Sequence, residues 1–104
     1  MTEGCAAPPG GVPLDGVDLS TQSVIQGVVS RADDHPLAGA YVRLHDASGE
    51  FTAEVPTDED GGFRFFAAPG RWTVRTLAPR AVPVDRVVVA QRGVVAELEV
   101  TIPV

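Results

Sequence analysis

The stretch FRFFAAPGRWTVR, residues 63–75, contains two runs of aromatic and β-branched side chains on either side of Pro69-Gly70. Alternating apolar and polar residues are typical of strands, and the proline predicts a turn around Ala68-Pro69. The alternation predicts a β-hairpin in which Phe65 pairs with Trp72, because a register one residue out would bury arginine and expose the tryptophan. We therefore expect Phe63, Phe65 and Trp72 at the centre of a hydrophobic core.

From Ser23 onward the chain has the same pattern of short apolar runs, rich in Val and separated by Gly, Pro and Asp. The 104 residues contain 17 valines, and no segment sustains a helical apolar pattern over three turns. Strands of this length and spacing indicate one all-β domain, an Ig-like Greek-key sandwich of two sheets. Seven strands are predicted, at residues 23–31, 40–46, 51–57, 62–67, 71–77, 84–90 and 94–102.

Two strands alternate clearly enough for their faces to be assigned. In the second strand, Val42 and Leu44 are expected to point inward, and Tyr41, Arg43 and His45 outward. In the last strand the inward residues are expected to be Val94, Ala96, Leu98, Val100 and Ile102.

Residues 1–20 read as a flexible tail that precedes a folded domain at residues 21–104. The tail is rich in Gly and Pro and has no apolar periodicity, so it buries too little surface to offset its ordering entropy. It also lacks the basic and apolar regions of a secretion signal, and the chain has no apolar run long enough to cross a membrane. We expect a disordered tail and a cytoplasmic protein.

Charge is distributed unevenly along the chain. The net charge is −6, which argues against nucleic acid and anionic membrane as partners. Residues 1–60 carry eleven acids and two arginines, a net of −9, whereas residues 61–104 carry three acids and six arginines, a net of +3. The two halves are therefore complementary between copies, and a homodimer is one alternative for the chain's assembly.

Beside Thr73, the predicted hairpin places four larger residues on its outer face, Arg64, Phe66, Arg71 and Arg75. Interface centres are enriched in aromatics and arginine, so these residues form a candidate patch for an acidic protein partner. The alternative is a solvated strand face whose arginines offset the acidic half of the same chain.

No constellation in the sequence predicts an enzyme, a metal site or a cofactor site. Residues 57–62, TDEDGG, are acidic, but they lack the twelve-residue ligand spacing of a calcium loop and suit a tight turn. Asp33-Asp34-His35-Pro36 is predicted to be the first strand connection. His35 and His45 have no third ligand at a recognisable spacing, and no serine lies in a nucleophile motif.

Four motifs in order, at residues 27–29, 36–44, 57–63 and 69–74, resemble the carboxypeptidase regulatory-like module. That resemblance implies a seven-stranded, transthyretin-like β-sandwich. Residues 51–55 and 63–70, with the cysteine near the N-terminus, are similar to a small actinobacterial family of unknown function, also called SseC-like. Its members are usually encoded beside a thiosulfate sulfurtransferase, which the resemblance implies as the protein partner.

Cys5 is the only cysteine of the chain. On a flexible tail its thiol would be exposed, with a pKa near the free value of about 8.5. It is a candidate sulfur acceptor, which would carry a persulfide, and the alternative is an ordinary surface cysteine. In the family it resembles, the cysteine directly follows the initiator Met, whereas here three residues intervene.

These observations together predict a non-catalytic accessory module that binds a sulfurtransferase. The alternative function is a small sulfur carrier that uses Cys5.

Overall fold

The computed structural model describes residues 23–104, in which all regular structure is β-strand. The strands are Ser23–Arg31 (β1), Tyr41–His45 (β2), Phe51–Pro56 (β3), Gly62–Ala67 (β4), Gly70–Leu77 (β5), Val84–Ala90 (β6) and Val95–Ile102 (β7). Each predicted boundary lies within one residue of the observed one. The predicted tail and Cys5 lie outside the described residues. Within residues 23–104 there is no helix that could cross a membrane.

The strands form two sheets, which confirms the predicted all-β sandwich. One sheet has three strands in the order β4-β1-β7, with β1 antiparallel to β4 and parallel to β7. The other has four strands in the order β3-β2-β5-β6, and every neighbouring pair is antiparallel. Each sheet therefore has an inner face on the core and an outer face.

The core lies between the two inner faces. Its buried residues come from six of the seven strands: Ile25, Val29, Val42, Leu44, Phe63, Phe65, Val74, Ala90, Val100 and Ile102. The predicted inward positions of β2 are confirmed, with Val42 and Leu44 at most 1% exposed. In β7, Val100 and Ile102 are buried and Ala96 and Leu98 pack against the core, whereas Val94 precedes the strand and is 43% exposed.

The predicted β4–β5 hairpin is wrong, because the two strands belong to different sheets. β4 pairs with β1, so that Phe65 lies opposite Ile25 and not opposite Trp72. At the crossing point Pro69 has no N–H to offer a ladder, and Gly70 adopts a φ of 142° that side chains rarely allow. Alternation shows which side of a strand faces the core, and it does so equally for strands that lie side by side and for strands that face each other.

This topology changes the expected core in one respect. Phe63 and Phe65 are buried as predicted, with their ring centroids 6.1 Å apart. Trp72 is only half-buried and packs at the border of the core, where its Nε1 donates a hydrogen bond to the Ala68 carbonyl at 2.9 Å. The tryptophan is thus hydrogen-bonded to the segment that connects β4 in one sheet to β5 in the other, and it does not lie at the centre of the core.

Gly27, in the central strand of the three-stranded sheet, lies where there is no room for a side chain. It lies opposite Phe63 on β4 and Leu98 on β7. A Cβ atom here would lie 2.1 Å from the Leu98 carbonyl oxygen and 3.0 Å from the Phe63 ring. The missing side chain is what lets the Phe63 ring approach the backbone of β1.

Candidate protein-binding surface

The four residues of the predicted patch lie on opposite sides of the sandwich. Arg64 and Phe66 are on the outer face of the three-stranded sheet. They alternate along β4 with Phe63 and Phe65, which point inward. Arg71 and Arg75 are on the outer face of the four-stranded sheet. The prediction of one continuous patch depended on the hairpin and fails with it, since the two pairs are separated by the core.

Arg64 is anchored within its own sheet. Its Nε donates to Gln26 Oε1 at 2.9 Å, across the β1–β4 pair. Partial burial lowers the pKa of Arg64 from its ordinary value, although a guanidinium stays charged at any physiological pH. This arginine contributes to the packing of the three-stranded sheet.

A row of four charged residues crosses the outer face of the four-stranded sheet, one residue per strand. In register order it is Glu54, Arg43, Arg75 and Asp85. Arg43 Nε donates to Glu54 Oε2 at 2.8 Å, and Arg75 donates from Nε and Nη2 to both Asp85 oxygens at 2.8 and 3.0 Å. The acids stand on the two edge strands and the two arginines face each other between them. Each arginine is therefore held beside its acid, at a defined place on the surface.

The Arg75–Asp85 pair shows how the row affects ionisation. Hydrogen bonds from Arg75 lower the pKa of the Asp85 carboxyl, and the carboxylate in turn raises the pKa of Arg75. Nearly half of each side chain is solvent-exposed, so this pair positions charge more than it stabilises the fold.

Apolar side chains flank the charged row on both sides. On one side Phe51, His45, Thr73 and Val87 form the next row, and Val89 follows beyond it. On the other side Tyr41 lies opposite both Pro56 and Leu77. The exposed fractions are 51% for Tyr41, 57% for Phe51, 63% for Val87 and 52% for Val89. This charged row and its apolar flanks make up the outer face of the four-stranded sheet, and the term outer face used alone means this surface.

Phe51 is held in place by its neighbours. The Arg43 guanidinium lies over its ring, 5.5 Å from the centroid, and the His45 ring meets it edge-on at 6.0 Å. His45 Nδ1 lies 3.2 Å from the Gly49 carbonyl, while its Nε2 is buried without a hydrogen-bond partner in the described part of the chain.

Arg71 differs from the other arginines of the outer face. It is exposed, lies opposite Val89, and its guanidinium has no acidic partner among residues 23–104. An unpaired guanidinium beside exposed valines is an available contact for an external carboxylate.

The acidic segments form turns, as predicted. In the β3–β4 connection Asp58 Oδ1 accepts hydrogen bonds from the backbone of Asp60 and Gly62 at 2.9 and 2.7 Å. In the β1–β2 connection Asp33 Oδ1 accepts from the His35 backbone at 3.2 Å, a bond that lowers the pKa of Asp33. Within residues 23–104, no three His, Cys, Asp or Glu side chains come together as metal ligands.

One shallow cleft of about 270 Å³ lies beside the outer face of the three-stranded sheet. Neither histidine lines it. Its lining residues are Val28, Ser30, Asp34, Glu99, Val100 and Thr101.

Sequence reasoning missed most of the outer face. It placed Tyr41, Arg43 and His45 outward, and it singled out Arg71 and Arg75. The acids of the charged row and the exposed Phe51, Val87 and Val89 come from β3 and β6, so their places beside β2 and β5 depend on topology. The only sequence signal for them is the run of three valines in β6.

Comparison with known proteins identifies a family. Residues 5–102 match the model of a family described as a protein of unknown function, DUF1416. An uncharacterised protein of Mycobacterium tuberculosis is 51% identical over 75 residues, which cover 71% of this chain and 75% of that protein. An uncharacterised protein of Mycolicibacterium smegmatis is 56% identical over 63 residues, covering 61% of this chain and 70% of that one. The SseC-like designation and the gene neighbourhood stay predictions.

Solved structures share the fold. The major pilin subunit BcpA of Bacillus cereus superposes with a TM-score of 0.69 at 18% identity, over 79% of this chain and 29% of the pilin. Catechol 1,2-dioxygenase from Pseudomonas arvilla gives a TM-score of 0.61 at 12% identity, over 86% of this chain and 54% of the enzyme. The chain thus corresponds to less than a third of the pilin, and likenesses at this level of identity show the fold alone.

Proposed function

Because the chain belongs to the DUF1416 family, whose function is unknown, we propose a function from its surface: a non-catalytic module that binds another protein through the outer face of its four-stranded sheet. The observation that carries the proposal is the grouping of four large apolar side chains, each more than half exposed, around a row of two arginines and two acids. Contiguous apolar patches bordered by polar groups mark interaction sites, and aromatic residues and arginine are enriched at interface centres.

The arrangement specifies the chemistry of the partner. Phe51, Val87 and Val89 would be covered by apolar side chains, while Arg71 would meet a carboxylate. Arg43 and Arg75 already have acidic partners on their own sheet, so they would shape the surface without needing charges from outside. We therefore infer a protein partner with an apolar contact area and at least one acidic residue at its border.

The resemblance to the SseC-like family supplies the identity of the partner in this proposal, a cytoplasmic thiosulfate sulfurtransferase. Binding of this chain would then serve thiosulfate or sulfane-sulfur metabolism. This step rests on the resemblance, whereas the choice of surface rests on the geometry of the outer face.

Two phenylalanines provide a matched test. Phe51 and Phe66 are both 57% exposed, and they lie on the outer faces of opposite sheets. We expect Phe51→Glu to weaken binding to the purified sulfurtransferase by at least about tenfold, as interface aromatics often cost more than about 1 kcal/mol when lost. Phe66→Glu should bind like wild type. Titration calorimetry measures both, with circular dichroism as the control for folding.

Each alternative outcome has a distinct meaning. Loss of binding in Phe66→Glu alone would place the interface on the three-stranded sheet and reject the outer face. If both variants bind with wild-type affinity, neither surface is the interface. Absence of binding by the wild-type chain would reject the sulfurtransferase as the partner.

A second candidate function is sulfur transfer by Cys5, favoured by one observation: the match to the family model begins at this residue. In that reaction the Cys5 thiolate would attack the outer sulfur of a sulfurtransferase persulfide. A new S–S bond would form on Cys5, the enzyme's S–S bond would break, and the enzyme's thiolate would leave.

Intact mass spectrometry separates the two functions. After incubation with thiosulfate and the sulfurtransferase, a carrier would gain one reducible sulfur atom, and Cys5→Ala would not. A binding module would form a complex with the enzyme without any gain in mass.

A further inference from the structure

β6 is an edge strand of the four-stranded sheet. β6 has one strand neighbour, β5, and pairs with it through seven consecutive residues without a bulge. Its sequence, VDRVVVA, contains no proline, which commonly protects edges, and its charged residues are Asp85 and Arg86. Within residues 23–104 no strand pairs with the far side of β6.

The other three edges are less suited to pairing with a copy of themselves. β3 ends in Pro56 and faces a register shift in β2. β7 carries Glu97 and Glu99 on one face, so two copies would bring like charges together. β4 carries Arg64 and no acid, so it offers no opposite charges to align.

We propose that two copies of this chain associate through β6, which pairs antiparallel with β6 of the second copy about a two-fold axis at Val87. The two four-stranded sheets then become one continuous sheet, and the two outer faces join into one surface. This proposal does not rest on the proposed function, because it concerns the strand edge and requires no other protein.

The position of the axis follows from the strand itself. Val87 is the central residue of Val84–Ala90, so an axis there lets all seven residues find a partner. Val87 then lies opposite its own copy, and two side chains that are 63% exposed cover each other. An axis at Arg86 would place arginine against arginine, and an axis at Val88 would leave the first two residues of the strand unpaired.

The same axis also brings an acid of one copy towards an arginine of the other. Asp85 of one copy falls opposite Val89 of the other, which is itself opposite Arg71 on β5. Asp85, which Arg75 of its own chain holds, thus lies two strands from Arg71 of the other copy, the arginine of the outer face with no acidic partner in the described chain. The register is therefore selected by the apolar contact at Val87, and the charges of Asp85 and Arg71 are compatible with it.

Arg86 is compatible with this pairing. It points to the inner side of β6, where an unheld charge would discourage a second strand. Its Nη1 donates to the Glu99 carbonyl at 2.9 Å, which holds the guanidinium over its own β7. The charge is thereby kept away from the two-fold axis.

Sedimentation equilibrium on the full-length chain tests the proposal. We expect a reversible dimer, and we expect Val87→Lys to raise its dissociation constant at least about tenfold, because two ammonium groups would face each other at the axis. Val82→Lys is the matched control: Val82 is 74% exposed and lies just before β6. This variant should dimerise like wild type.

A cysteine crosslink tests the register independently. In a Cys5→Ala background, Val87→Cys places two thiols opposite each other, at the Cα separation that antiparallel pairing and disulfides share. Mild oxidation should give a disulfide-linked dimer, and Val82→Cys in the same background should not. A wild-type chain that is monomeric at every concentration, or a dimer that Val87→Lys leaves unchanged, would overturn the proposal.

Discussion

Phe65 and Phe66 are neighbours on β4 with opposite environments, and replacing each by alanine tests the assignment of inner and outer faces. Phe65 is 4% exposed and contacts the Phe63 ring, whereas Phe66 is 57% exposed. Phe65→Ala removes a nearly buried ring from between two sheets that cannot collapse around the space. We expect it to lower the free energy of unfolding by about 3–5 kcal/mol.

For Phe66 the expected cost is much smaller. Less than half of its side chain is buried, and full burial of a phenylalanine contributes about 1.5–3 kcal/mol. Phe66→Ala should therefore cost about 1 kcal/mol or less, since no closed cavity forms on an outer face. The expected difference between the two variants is several times the size of the smaller effect.

Urea denaturation followed by Trp72 fluorescence measures both free energies in the same experiment. A domain of this size has about 5–10 kcal/mol of stability, so Phe65→Ala should stay folded in buffer but unfold at a much lower urea concentration. Equal midpoints for the two variants, or a larger loss for Phe66→Ala, would refute the inward orientation of Phe65 and with it the pairing of β4 with β1.

Two further predictions concern glycine and pH. Gly27→Ala should cost about 3 kcal/mol or more, because the new Cβ would lie 2.1 Å from the Leu98 carbonyl oxygen; Gly39→Ala, at a φ of 76° with open space around it, should cost about 1–2 kcal/mol in thermal or urea unfolding. The reverse order would show that β1 and β7 are not as close as described here. Hydrogen bonds led by the Ser48 hydroxyl lower the pKa of Asp46, so its contribution is complete above the unfolded pKa of about 3.9 and is lost as pH falls through the lower folded value. Asp46→Ala should then destabilise the protein near neutral pH and differ less from wild type in acid, and a difference that grows in acid would contradict the assignment.

The local sequence was sufficient for the strands. Apolar alternation, interrupted by Gly, Pro and Asp, located all seven to within a residue, because a strand with one face on a core must alternate and a turn must end it. The same signal placed Phe63 and Phe65 in the core and Arg43 on the outside. The turn at Asp58–Gly62 followed from local side-chain hydrogen bonding, which needs no distant residue.

Which strands are neighbours depended on the tertiary structure alone. The segment Phe63–Arg75 has the alternation of a hairpin. In the structure, however, β4 pairs with β1, which is the central strand of its sheet. Alternation repeats identically in both arrangements, so it carries no information about pairing. The core-facing pattern of the sequence is therefore right while the partners it suggests are wrong.

The candidate surface follows the same division. Sequence alone determined that this chain is an all-β domain, which side chains of β2, β4, β5 and most of β7 face outward, and that arginines and exposed aromatics occur among them. Tertiary structure decided that Arg64 and Phe66 lie on one side of the sandwich and Arg71 and Arg75 on the other. It also brought Glu54, Arg43, Arg75 and Asp85 into one row. The physical reason is that the face of a strand is determined by the periodicity of its own residues, whereas its neighbours are selected by burial across the whole core.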